Sequence, residues 1–159
     1  MRPPDWARRN VVVGEALYNP DWDDVKENLS LEGLRAWISF GWVHNQFLGQ
    51  DPTQTPPVPQ IQQRTLRMVR ELVGEGLFVL GVPSQTKADP VGFTEWNIPL
   101  ADAMAKIERA YIGNYDDWKS WYFVVSMDLT AKGEKLALEI YRQDYPEGPT
   151  WPGWKPRFN

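Results

Sequence analysis

The sequence predicts an α+β fold, mostly helical, and three observations predict it. Residues 60–74 carry apolar side chains at helical spacing and end on a glycine. The apolar run Leu77, Phe78, Val79, Leu80 follows within about two residues, so the chain switches from helix to strand almost at once. A second β-branched and aromatic run, Trp121 to Val125, comes late in the chain. Each run needs a ladder partner, and no other stretch has comparable strand character, so segments 77–82 and 121–127 are expected to pair antiparallel.

Taken in order, residues 1–20 hold one apolar run, Val11 to Val13, between Gly14, Pro20 and a charged start, which suits a short strand or a docked arm. Residues 21–28 are acidic, with Trp22 and Val25 spaced for one or two helical turns. Ser30 is placed to cap a helix over 31–47, where Leu34, Trp37, Ile38, Trp42 and Val43 cover a wide arc; a strand over 37–43 is the competing reading. Gly33 and Gly41 each cost about 1 kcal/mol in a helix relative to alanine, which points to close packing there. Four prolines then break the chain between Gln50 and Pro59.

In the helix that follows, Leu66, Val69 and Val73 recur at i, i+3, i+7 with Ile61 and Leu72 beside them, leaving Arg64, Arg67 and Arg70 on the opposite side. Gly74 suits a left-handed cap and Gly76 a tight turn. Residues 83–95 read as a polar loop. Asn97 and Pro99 open a helix on which Leu100, Ala103, Met104, Ile107 and Tyr111 form the apolar stripe, stopped by Gly113 and Asn114. Thr130 caps a last helix, with Leu136, Ala137 and Ile140 on one face, and everything past Asp144 is Pro, Gly, Trp and charge, an arm that either docks or stays free.

A chain of 159 residues is the size of one domain and buries roughly two-thirds of its unfolded surface without a disulfide or metal. A single domain over 1–159 is therefore expected, with a core over about 21–141, an N-terminal arm over 1–20 and a C-terminal arm over 144–159. The formal charge of −4 disfavours nucleic acid and anionic membrane as general partners. The absence of cysteine excludes disulfides, thiolate metal sites and thiol nucleophiles. The first nine residues carry charges and two prolines with no signal-type apolar core behind them, and nowhere do about 18 apolar residues run together, so a cytoplasmic chain with no membrane partner is expected.

The phrase Leu129-Thr130-Ala131-Lys132-Gly133, directly after a strand and opening a helix, resembles the LTxKG phrase of MarR-type winged-helix proteins. The resemblance implies a winged-helix-like core over about 31–141, with 60–74 in the place of the recognition helix, 77–82 as the first wing strand, and Gly133 letting the last helix approach the sheet. This sequence departs from the pattern twice. A whole helix is inserted between the two antiparallel wing strands, and a proline loop replaces the tight turn before the recognition helix.

Chemistry-bearing residues are few. His44 is the sole histidine and sits on an aromatic face with Trp37, Phe40 and Phe47, where packing is the ordinary role; one histidine without cysteine makes no common zinc site. The pairs Asp23-Asp24 and Asp116-Asp117 stand at element starts, where solvated caps explain them better than acid-base work. No phosphate loop, nucleophile elbow or dinucleotide fingerprint occurs, so no enzyme, metal or cofactor is expected. Nine tryptophans are the compositional oddity, and large aromatics serve either a core or a binding surface. Both readings stay open for Trp151 and Trp154 in the Pro/Gly tail. Arg64, Arg67 and Arg70 make either a solvated helix face or a contact surface, for an acidic protein or for DNA. The partner-binding candidates are thus Arg64, Arg67, Arg70, Trp151 and Trp154. The expected function is a bacterial, non-enzymatic protein-interaction module of the immunity or antitoxin kind, with a winged-helix transcriptional regulator as the alternative.

Overall fold

The computed structural model describes residues 17–158; the expected arm run Val11 to Val13 lies outside them. The described chain is α+β and mostly helical, with helices α1 (Trp22–Gly33), α2 (Phe40–Leu48), α3 (Val58–Gly74), α4 (Leu100–Gly113) and α5 (Ala131–Asp144). The strands are β1 (Ile38–Ser39), β2 (Phe78–Pro83), β3 (Phe93–Glu95) and β4 (Ser126–Leu129), all antiparallel in the order β1-β4-β2-β3. The two strands expected from the sequence do pair, with Phe78 opposite Leu129 and Leu80 opposite Met127. Among the described residues no helix is long and apolar enough to cross a membrane.

The sheet has an inner and an outer face because side chains alternate along each strand. Ile38, Leu80 and Met127 are mutually registered and buried, and Phe78 with Leu129 continues the same face into the core. Ser39, Ser126 and Gly81 form the next rung, facing the other way. There Phe93 lies across Gly81, where a Cβ would come within 2.7 Å of its ring, and Trp37 stacks on Phe93 at 6.4 Å. The outer face is therefore roofed by aromatics that only a glycine beneath would admit.

Several elements differ from the expectation, each for a local physical reason. The helix expected over 31–47 is divided: Gly33 ends α1 against Leu129, the chain turns, and Ile38–Ser39 pairs with β4 before α2 begins. Ser39, not Ser30, caps α2 by accepting the Trp42 N–H, while Ser30 lies inside α1 and bonds back to the Lys26 carbonyl at 2.9 Å. Gly41 is packed so closely that a Cβ would fall 2.1 Å from the Tyr122 ring, which bears out the close-packing role expected of it.

The segment 83–95 is not all loop, since Phe93–Glu95 closes a hairpin on β2. The strand expected over 121–127 begins only at Ser126. Ahead of it Trp121 is buried among Phe40, His44, Tyr111 and Tyr115, and its indole donates to the Tyr115 carbonyl at 2.9 Å, which holds the chain in turns. The left-handed residue after α3 is Gly76 at φ 74°, two residues beyond Gly74. Helix α4 starts after Pro99 with no side-chain cap, so Asn97 does not serve as one.

Thr130 caps α5 as expected. Its hydroxyl accepts the Gly133 N–H at 3.0 Å and donates to the Gly76 carbonyl, tying the end of the sheet to the turn after α3. Gly133 has the Leu77 carbonyl oxygen only 2.0 Å from where a Cβ would sit, so α5 lies directly on the sheet. The α3 stripe is rotated slightly from the one expected: Ile61, Thr65, Met68, Val69 and Leu72 are fully buried, whereas Leu66 and Val73 are half-buried at its edge.

Candidate partner-binding site

The five candidates fall in two separate places. On α3, Arg64 donates to the Tyr18 carbonyl at 3.3 Å and the Arg67 guanidinium lies 4.6 Å over the Trp22 ring. Trp22 in turn donates its indole N–H to Glu71 at 2.6 Å, and that bond, helped by Lys26 at 3.5 Å and by Arg67, holds the Glu71 carboxyl below the usual range against the opposing effect of its desolvation. Arg70 reaches Glu108 on α4 at 3.7 Å across an exposed gap. All three arginines thus have intramolecular engagements.

Trp151 and Trp154 are brought together by the turns of the C-terminal arm. Gly148 and Gly153 adopt φ of 83° and 81°, conformations that a side chain would strain, and the arm folds back on α5. Tyr141 stacks on Tyr145 at 4.9 Å and meets Trp151 edge-on at 5.7 Å; Trp151 meets Trp154 at 6.0 Å, and Arg35 from the α1–β1 turn covers Trp151 at 4.7 Å. Beyond them Arg157 pins the arm. Its guanidinium bonds Asp128 on β4 at 2.8 and 3.0 Å, and the backbone N–H groups of Arg157 and Phe158 donate to the two oxygens of the buried Glu134 at 3.1 and 3.3 Å.

The docked arm makes one wall of a cleft of about 460 Å³ on the outer side of the sheet. The α1–β1 turn with Trp37 makes the second wall, and the β2–β3 loop with Gln85, Pro90 and Val91 the third. Trp151 and Trp154 line it; Arg64, Arg67 and Arg70 do not. Sequence reasoning found the tail tryptophans because aromatics in a Pro/Gly tail stand out, but Trp37 and the Arg157 pin join the site only through folding.

A second polar arrangement lies in the core. His44 and Tyr111 meet at 2.6 Å through Nδ1 and Oη, Tyr111 donates to Thr65 at 3.4 Å, and Thr65 donates to the Ile61 carbonyl at 2.7 Å. The donor in the His44–Tyr111 bond is set by the tautomer of the imidazole. Burial holds the His44 imidazole down at about 4 and pushes the Tyr111 phenol up. His44 is the packed residue the sequence suggested, with a partner 67 positions away that no local spacing reveals. Among the described residues no group of three or more His, Cys, Asp or Glu side chains is arranged to hold a metal ion.

No family model, curated protein or solved structure matches this chain.

Proposed function

We propose that this chain is a bacterial, non-enzymatic protein-interaction module of the immunity or antitoxin kind, acting in the cytoplasm and engaging its protein partner at the cleft bordered by Trp151 and Trp154. The observation that carries the reading is the pinned arm. Arg157 and Glu134 hold two tryptophans at the rim of an open cleft, half-buried, where large rings on a rigid support make good contact anchors. The acidic balance of the chain fits a protein partner better than a phosphate backbone.

The winged-helix reading is part of the proposal. In its support, α3 runs into β2, β4 pairs with β2 and passes through Thr130 into α5, and the inserted segment between those strands holds β3 and α4. Helix α4 packs alongside α3, with Arg70 tied to Glu108, so α3 is flanked by an element that a DNA groove would have to accommodate. A DNA-binding regulator is the second reading, favoured by the exposed stripe Gln60, Gln63, Arg67 and Arg70 on α3.

Two measurements separate them. Pull-down from host lysate with the intact chain should retain a protein partner, and a gel shift on mixed genomic DNA at about 150 mM salt should show no complex. Tight DNA binding abolished by Arg67→Glu with Arg70→Glu would replace the first reading by the second.

A further inference from the structure

The cleft offers an unbalanced set of hydrogen-bonding groups. The indole N–H donors of Trp37, Trp151 and Trp154 have no acceptor among the described residues, as is also true of Trp42, Trp96 and Trp118 elsewhere on the molecule, and the cleft is where three of them converge. Arg35 and Lys155 add positive charge at the walls and pair with no carboxylate among the described residues. The carboxylates that line it, Asp128 and Glu134, are already engaged by Arg157 and the arm backbone. What remains is mainly donors and flat apolar surface, with the Gln85 amide the one lining side chain left to offer an acceptor.

A matching ligand brings acceptors and apolar rings and needs little acceptance in return. A sugar fails this test, because each hydroxyl seeks an acceptor as well as a donor. A proline-rich segment meets it: proline has no N–H, the polyproline II conformation makes no internal hydrogen bonds, and every carbonyl stands free to accept. Its pyrrolidine rings pack on aromatic walls, and the ordering cost is small because the chain is already extended. An acidic residue beside the prolines would answer Arg35 and Lys155.

We propose that the cleft between Trp37, Trp151 and Trp154 binds an extended, proline-rich segment of a partner protein, with an acidic residue flanking the prolines. The inference rests on the protein-binding reading above and names the chemistry of the partner. The test uses the full chain labelled with ¹⁵N, in which each of the nine tryptophans contributes an indole N–H signal, each assigned by its Trp→Phe variant. The probe is a synthetic oligoproline peptide with flanking aspartates. It should shift the Trp37, Trp151 and Trp154 signals saturably, whereas a Gly/Ser peptide of equal length should not.

Trp154→Phe keeps an aromatic ring and removes one donor, so it should weaken binding about fivefold, the worth of one hydrogen bond. If that variant melts early, Lys155→Glu is read instead, and it should lose preference for the aspartate peptide and gain it for a lysine-flanked one. No saturable shift at about 1 mM peptide, or shifts confined to other indoles, would overturn the proposal. A host protein that is captured by the chain and retained by Trp154→Phe in the presence of the peptide would overturn it too, while leaving the protein-binding reading standing. Self-association lost in Trp154→Phe, with no response to the peptide, would assign the cleft to a second copy of the chain and likewise overturn it.

Discussion

Arg157 bonds Asp128 through its guanidinium and the buried Glu134 through its backbone N–H, so one residue near the end of the chain joins β4 to the first turn of α5. Glu134 depends on this arrangement. Its two oxygens are satisfied by backbone N–H groups of the arm, and removing the arm leaves a carboxylate in the first turn of α5 without them. Arg157→Ala keeps those backbone donors but removes the guanidinium, which besides its partly exposed Asp128 pair donates to the Leu129 carbonyl at 3.4 Å and lies 3.9 Å from Glu134, so it should cost about 1–2 kcal/mol in urea unfolding. Deleting residues 149–159 should cost more, because Glu134 then loses its partners as well. Equal losses for the two variants would mean that the backbone bonds to Glu134 contribute nothing.

Gly133→Ala tests the closeness of α5 to the sheet. The added carbon would fall 2.0 Å from the Leu77 carbonyl oxygen, which is backbone and has no rotamer by which to retreat. Helix propensity alone favours alanine by up to about 1 kcal/mol, but the overlap forces α5 away from β2, a cost of about 1–3 kcal/mol. The expected result is a lower melting temperature. A stabilised variant would show that α5 moves off the sheet without penalty.

The buried stripe predicts a ranking across α3 and α4. Ile107 is fully enclosed, so Ile107→Ala should cost about 2–5 kcal/mol. Leu66 stands half-buried at the edge of the stripe, and Leu66→Ala should cost about 1–2 kcal/mol, less than its spacing in the sequence suggests. Arg67→Ala removes the cation from the Trp22 face and should cost about 0.5–1 kcal/mol. Urea melts placing Leu66 above Ile107 would put the wrong face of α3 against the core.

The parts legible in the sequence are those whose signals are local. Helices α3, α4 and α5 carry periodic apolar stripes, and Thr130 marks the start of α5 by its own side chain. Strands β1 and β3 have two and three residues, too short for any alternation to read, and they exist because β4 and β2 offer them a ladder. Trp121 has the composition of a strand residue, yet its ring is drawn into the cluster around Tyr111, and tertiary packing overrides local preference there. The cleft was half legible. Trp151 and Trp154 stand out in a tail of proline and glycine, while Trp37 joins them only when the α1–β1 turn folds back, and the pin from Arg157 to Asp128 spans 29 positions.

The core chain through His44, Tyr111 and Thr65 makes a prediction about pH. Neutral His44 fits its site, and burial among Tyr111, Tyr115 and Trp121, none of them anionic at neutral pH, opposes protonation and holds the folded pKa at about 4 against an ordinary 6.5. Between those values the unfolded chain binds the proton and the folded chain does not. Stability from this residue is therefore complete above about pH 6.5 and is lost as pH falls toward 4, with a slope of at most about 1.4 kcal/mol per pH unit. Glu71, with its lowered carboxyl pKa, loses its contribution only as pH falls through and below the ordinary carboxylate range, so the upper part of the window belongs to the single histidine. His44→Gln keeps a group able to bond Tyr111 and removes the titration. Urea unfolding at pH 7.0, 6.0 and 5.0 should show the intact chain losing stability across this range and the variant staying nearly level, in the sense the linkage relation requires. Parallel curves for the two proteins would place the proton on some other group and leave His44 without the buried, neutral state described for it.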